Sequence, residues 1–195
     1  MLIDLNETQV YVLKILEMFA SYLKERQSID IELVNIINHP YLEDINTNSS
    51  NVVAIKIIDY GGLGNRELRS GGFYDSVNEY ELMLSLYFMC FANPRERIGQ
   101  IDLLNRMTLI YQEYNSFLHN TSNIFKFSKK VDEEHTLKIK YILKHIGRLT
   151  LKEPVTIKSK YSNKAISSNI ITKVNVQVIE EKHKKERIKD ATRHN

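Results

Sequence analysis

The run Tyr60-Gly-Gly-Leu-Gly-Asn-Arg66 has residue types that could cradle a phosphate, and it follows an apolar, β-branched stretch. A phosphate loop of that kind ends in Gly-Lys-Ser/Thr and opens a helix, so that a lysine, a hydroxyl and the helix dipole meet the anion. This run has neither ending, and a strand pattern follows it. It is read as a mobile hairpin connection, Gly61 to Gly72, whose Arg66 and Arg69 bring positive charge to a partner. Asp132-Glu133-Glu134-His135 holds metal-ligand types, but consecutive residues point in different directions and do not converge on one ion. The six histidines are scattered, with no His-x-x-x-His pair and no nucleophile elbow. Cys90, the one cysteine, sits in an apolar run and reads as a buried, inert thiol. Asp59 and Glu81 fall near each other if their strands pair, yet no Glu-x-Lys triplet accompanies them. The expectation is no enzyme, no metal and no cofactor.

Charge is the stronger chemical signal. Residues 126–164 carry eleven Lys/Arg (ten lysines and Arg148) against four acids, while residues 1–53 carry three against eight. Phosphate neutralisation needs such a basic density, and Phe125, Phe127, Tyr141 and Tyr161 interleave with it. Lysine dominance points to a nonspecific surface, not to base reading. Alternatively, the basic side of one copy meets the acidic side of the next, a head-to-tail contact that closes into a ring.

These groups need elements to hold them. A chain of 195 residues with 43% hydrophobic content suits one domain with a core. No apolar run is long enough to span a membrane, and the acidic start is unlike a signal peptide, so a cytoplasmic protein is expected. Asn6 is placed as an N-cap, and Val12, Leu13, Leu16, Phe19, Ala20 and Leu23 form one helical stripe. Ile29, Ile31 and Leu33 alternate with Asp30 and Glu32 as a short strand, unless the run Leu33 to Ile37 is instead a helical turn. Val52 to Tyr60 is a strand apolar enough for burial on both faces, and Tyr80 to Phe91 is its antiparallel partner.

Asn93, Pro94 and Glu96 form a capping signal for a long second helix ending near His119-Asn120. Its stripe is read as Ile98, Ile101, Leu104 with Leu103, Thr108, Tyr111 and Phe117 or Leu118. Strands are expected at Thr136–Tyr141, Arg148–Lys152, Val155–Tyr161 and Ile170–Ile179. The predicted fold class is α+β: an antiparallel or mixed sheet packed by an N-terminal and a central helix in two layers. A single domain is expected over 1–179, with residues 180–195 a charged tail, disordered or a frayed helix.

The order of elements resembles the tail terminator, or tail completion, proteins of long-tailed phages across about residues 5–180. The likeness rests on Asn51-Val-Val-Ala-Ile-Lys-Ile-Ile, Glu79-Tyr-Glu-Leu-Met-Leu-Ser-Leu-Tyr-Phe, Pro94 to Tyr114 and Ile170 to Ile179. Extra strands between Lys126 and Tyr161 and the charged tail depart from it. The resemblance implies a structural virion protein forming a homo-oligomeric, hexameric ring at the neck. Such a ring caps the tail tube, touches the tube protein and the head–tail connector protein, and lets DNA pass through its lumen. It implies assembly in the host cytoplasm and residence in the virion tail. The contact candidates are Arg66, Arg69, Lys138, Lys140, Lys158 and Lys160. The alternative function is a nucleic-acid-binding accessory protein using the basic surface 126–164.

Overall fold

A computed structural model of the protein describes residues 5–35, 49–70, 73–91, 100–133, 135–152 and 165–182. The elements in chain order are α1 (Leu5–Gln27), β1 (Glu32–Asn35), β2 (Asn51–Ser70), β3 (Phe73–Phe91), α2 (Gln100–Asn120), β4 (Ile124–Lys130), β5 (His135–Lys152) and β6 (Ala165–Lys182). The strands form one six-stranded mixed sheet in the order β1-β2-β3-β6-β5-β4. β1 runs parallel to β2, and every other neighbouring pair is antiparallel. This is the α+β class expected from the sequence.

Period-two patterning decides which face the helices cover. On β6, Ile170, Thr172, Val174, Val176 and Val178 are buried, while Ile171, Lys173, Asn175, Gln177 and Ile179 are half-buried on the other side. Leu82, Leu84, Leu86 and Phe88 of β3 and Leu137, Ile139, Tyr141 and Leu143 of β5 extend the buried face. They share one core with Ile15, Leu16, Phe19 and Leu23 of α1 and with Met107, Ile110, Tyr114 and Phe117 of α2. Phe19 anchors the helix pair: its ring meets Tyr114 edge-on at 5.1 Å and Phe117 at 5.6 Å. Where β2 enters the sheet, Asn51 to Ile55 are all buried, so both faces are covered there, as the unbroken apolar run predicts.

Helix ends are closed locally. Ser28 adopts φ 54° as α1 stops, and its amide donates to the Lys24 carbonyl at 2.9 Å. Ser122 and Asn123, with φ 54° and 60°, turn the chain from α2 into β4, and Asn123 N donates to the Leu118 carbonyl at 2.7 Å. Two serines and an asparagine thus take left-handed positions that glycine usually fills.

Several expectations need correction. The glycine stretch is strand, not a mobile connection: Gly61, Gly62 and Gly64 pair with Glu81, Tyr80 and Glu79, and β2 continues to Ser70 opposite Phe73. Register shifts between Ile57 and Asp59 and between Gly62 and Gly64 are bulges, where extra residues bend and twist the strand while pairing continues. β4 is a further strand that the basic, aromatic pattern of its seven residues does not announce. β5 absorbs the separate Arg148–Lys152 strand through a register shift between Ile146 and Thr150. β6 runs to Lys182, three residues into the proposed tail. The α2 stripe is corrected in part: Leu103, Phe117 and Leu118 are buried and Leu104 and Tyr111 pack against the core as expected, but Met107, Ile110 and Tyr114 complete the buried face while Thr108 is exposed and Ile101 is 73% exposed. Asn6 lies inside α1 instead of capping it. The Asn93-Pro94-Glu96 cap, the Val155–Tyr161 strand and residues 183–195 lie outside the described residues.

Candidate contact surface

The face turned away from the helices gathers the basic residues, because β4, β5 and β6 place alternate positions there. Direct register partners share a face, so Lys126 stands opposite Lys140 and Ser128 opposite Lys138. Lys144 stands opposite Lys173, and Lys140 opposite Gln177. Lys126, Lys130, Lys138 and Lys144 are exposed, and Lys140 and Lys173 half-buried. Acids enter from the neighbouring strand: Glu81 of β3 pairs with Lys173 at 2.5 Å, and Glu79 accepts a hydrogen bond from Gln177 at 2.9 Å. The face is therefore graded, with carboxylates toward β3 and lysines toward β4. Asn175 lies in the middle, its side-chain oxygen buried without a hydrogen-bond partner.

Like charges set directly opposite across antiparallel strands are destabilising. Lys126 with Lys140, and Lys144 with Lys173, are two such pairs on adjoining strands. Lys173 is relieved by Glu81, and no described carboxylate does the same for Lys126, Lys140 or Lys144.

The aromatic residues that interleave with these lysines in sequence part from them in space. Phe125 and Tyr141 are buried, and Phe127 packs against the core on the helix side. Tyr11 of α1 lies 4.9 Å from the Phe127 ring and 5.9 Å from Tyr141. Stacking on bases is thus unavailable to Phe125 and Tyr141. Alternation accounts for this: in a strand, neighbours in sequence face opposite sides.

The remaining candidates fall as follows. Lys138 and Lys140 lie together on the open face. Arg66 and Arg69 occupy β2 positions opposite Val77 and Tyr74, toward the far end of the β2–β3 hairpin. Lys158 and Lys160 lie outside the described residues. Lys173 joins the basic face although it lies outside the lysine-rich segment, because β6 is inserted between β3 and β5 and sets it opposite Lys144. Asp59 and Glu81 sit two register steps apart, opposite Met83 and Gly61, and Glu81 is taken by Lys173. Asp132 closes the β4–β5 turn, accepting from the His135 amide at 2.7 Å with the His135 ring 2.9 Å away. Burial pushes the Cys90 thiol up to about 12, against a weaker opposing pull from Arg106.

Acids of the N-terminal third are partly used within the chain. Glu7 pairs with Lys129, and Asp30 with Lys24 at 2.8 Å. Glu32 accepts from the Ser49 amide at 3.2 Å. Of the described acids there, Glu17 and Glu25 are exposed on α1, and Asp30 is exposed even in its ion pair.

Fold and surface together define a class: a two-layer α+β domain with helices on one sheet face and a lysine-rich open face. The chain belongs to a family described as a Borrelia burgdorferi protein of unknown function, DUF764, which it matches over residues 1–184. No curated protein matches it. Among the described residues, no helix is long and apolar enough to cross a membrane.

Proposed function

We propose that the chain is a structural assembly protein, a ring-forming tail terminator or tail completion protein of a phage-like particle. The observation that carries this reading is the β2–β3 hairpin. The core-facing side of β3 is buried from Asn78 to Cys90, yet the pairing continues outward to Ser70 and Phe73. A strand of 19 residues spans about 60 Å at roughly 3.3 Å per residue. The 23-residue α1 covers about 35 Å at ~1.5 Å per residue. The pairing of this hairpin runs further than the length of α1, and an extended paired arm suits contact with another subunit.

In this reading copies of the chain close a ring, with six as the expected number. One side of the ring meets the tail tube protein and the other the head–tail connector protein. It caps the tube by occupying its growing end, and DNA passes through the lumen. No bond is made or broken, so no cofactor is required. Assembly occurs in the host cytoplasm and the product stays in the virion neck.

Electron microscopy and light scattering of the purified chain, alone and with tail tubes, test the reading. Rings, alone or on tube ends, are expected, and Arg66→Glu with Arg69→Glu should yield tails of abnormal length. A chain that is monomeric under all these conditions and has no effect on tube length would remove the proposal.

A further inference from the structure

We infer that the open face of β4, β5 and β6 is a binding surface for the phosphodiester backbone of a double helix. Five lysines of β4 and β5 carry it: Lys126, Lys130, Lys138, Lys140 and Lys144. Alternate residues of a strand lie roughly 7 Å apart on one face, and neighbouring strands about 4.8 Å apart. Lys138 to Lys144 thus spans about 20 Å, more than half of one duplex turn of roughly 34 Å. Lys126 and Lys130 widen that row by one strand.

Three observations select this partner. Lys126 and Lys140 stand directly opposite with no described carboxylate on either, a repulsion that an anion between them removes. The nearby aromatic rings Phe125 and Tyr141 are buried on the opposite face, so this surface lacks them as stacking platforms for a single strand. Its charges are lysines, compact and mobile ammonium groups that neutralise phosphates without reading bases. The inference does not rest on ring formation: a monomer that binds supports it equally.

The test is fluorescence anisotropy of the full chain with duplex DNA and duplex RNA of mixed sequence, across a salt series. About four neutralised phosphates give a slope of log K against log salt near −4, and a loss of about a hundredfold between ~50 and ~200 mM salt. Lys126→Gln, Lys140→Gln and Lys144→Gln should each reduce that slope by about one, at any sequence. Lys24→Gln, which removes a charge from α1, should leave it unchanged. Circular dichroism melting of the glutamine variants should match or exceed the parent, because a like-charge contact is relieved. Binding of either duplex in this pattern supports the inference, and the tighter of the two identifies the source. No binding at low salt overturns it. So does a slope indifferent to the three substitutions, or polyglutamate bound as tightly as a duplex of equal charge.

Discussion

Thr8 and Tyr80, 72 positions apart in the chain, share a buried hydrogen bond of 3.1 Å between their side-chain oxygens. It ties the second turn of α1 to β3 beneath the helix layer. Tyr141 packs beside it: burial first, then the neighbouring Tyr80, pushes its phenol well above the ordinary tyrosine range. Thr8→Val keeps the shape and removes the hydroxyl, so the buried Tyr80 hydroxyl loses this hydrogen bond. Urea unfolding should show a loss of about 1–3 kcal/mol. Pairing it with Tyr80→Phe should cost less than the two single losses added together, because both changes remove the same hydrogen bond.

At the other end of α1, Gln27 Nε2 donates to Glu113 Oε1 at 2.7 Å, and Arg26 Nε lies 3.5 Å from the second carboxylate oxygen. Glu113 is only 8% exposed, on the α2 face that meets α1. Gln27→Ala leaves that carboxylate without its closest donor and should lower stability by about 1–3 kcal/mol. Arg26→Ala should lower it by no more than about 1 kcal/mol, because the guanidinium is largely in water. Equal losses in chemical denaturation would sink this assignment.

Alkaline pH should loosen the fold. Cys90, with an ordinary value of 9.0, is held up to about 12 by burial, and burial raises the phenols of Tyr114 and Tyr141 as well. A raised acid stays protonated when folded but ionises when unfolded. Its stabilising contribution is complete below pH ~9, where the unfolded thiol is still neutral, and is lost as pH climbs toward ~12. The melting temperature should be flat in this contribution at neutral pH and decline above ~9. Cys90→Ala should reduce that decline, while native protein should resist thiol alkylation until it unfolds.

Gly61 is exposed on β2, its φ lies outside the left-handed region, and an added Cβ meets nothing within 4 Å. Neither backbone strain nor crowding within the protomer requires glycine there. Gly61→Ala should hold stability level or raise it by about 0.4–1 kcal/mol, through a stiffer unfolded chain. Differential scanning calorimetry decides the sign.

Much of the fold is legible in local pattern. The α1 stripe, the doubly buried entry of β2 and the alternation of β6 follow from periodicity, because each depends on which side of one element is apolar. The α2 stripe is legible only in part, because its apolar residues form two adjacent rows, and packing against β3 and β6 selects Met107, Ile110 and Tyr114 over Ile101 and Thr108. The glycine stretch misled for a related reason. Glycine permits a turn but does not compel one, and a long partner strand holds Gly61 to Gly64 extended.

By itself the sequence determined the class of fold, the excess of lysine after residue 126 and the burial of Cys90, because these depend on composition and local period. Tertiary structure alone decided which lysines share a face. Inserting β6 between β3 and β5 placed Lys173 beside Lys144 and Glu81, while strand alternation carried Phe125 and Tyr141 into the core. Strand order is set by contacts between residues far apart in the chain, and no local window contains them.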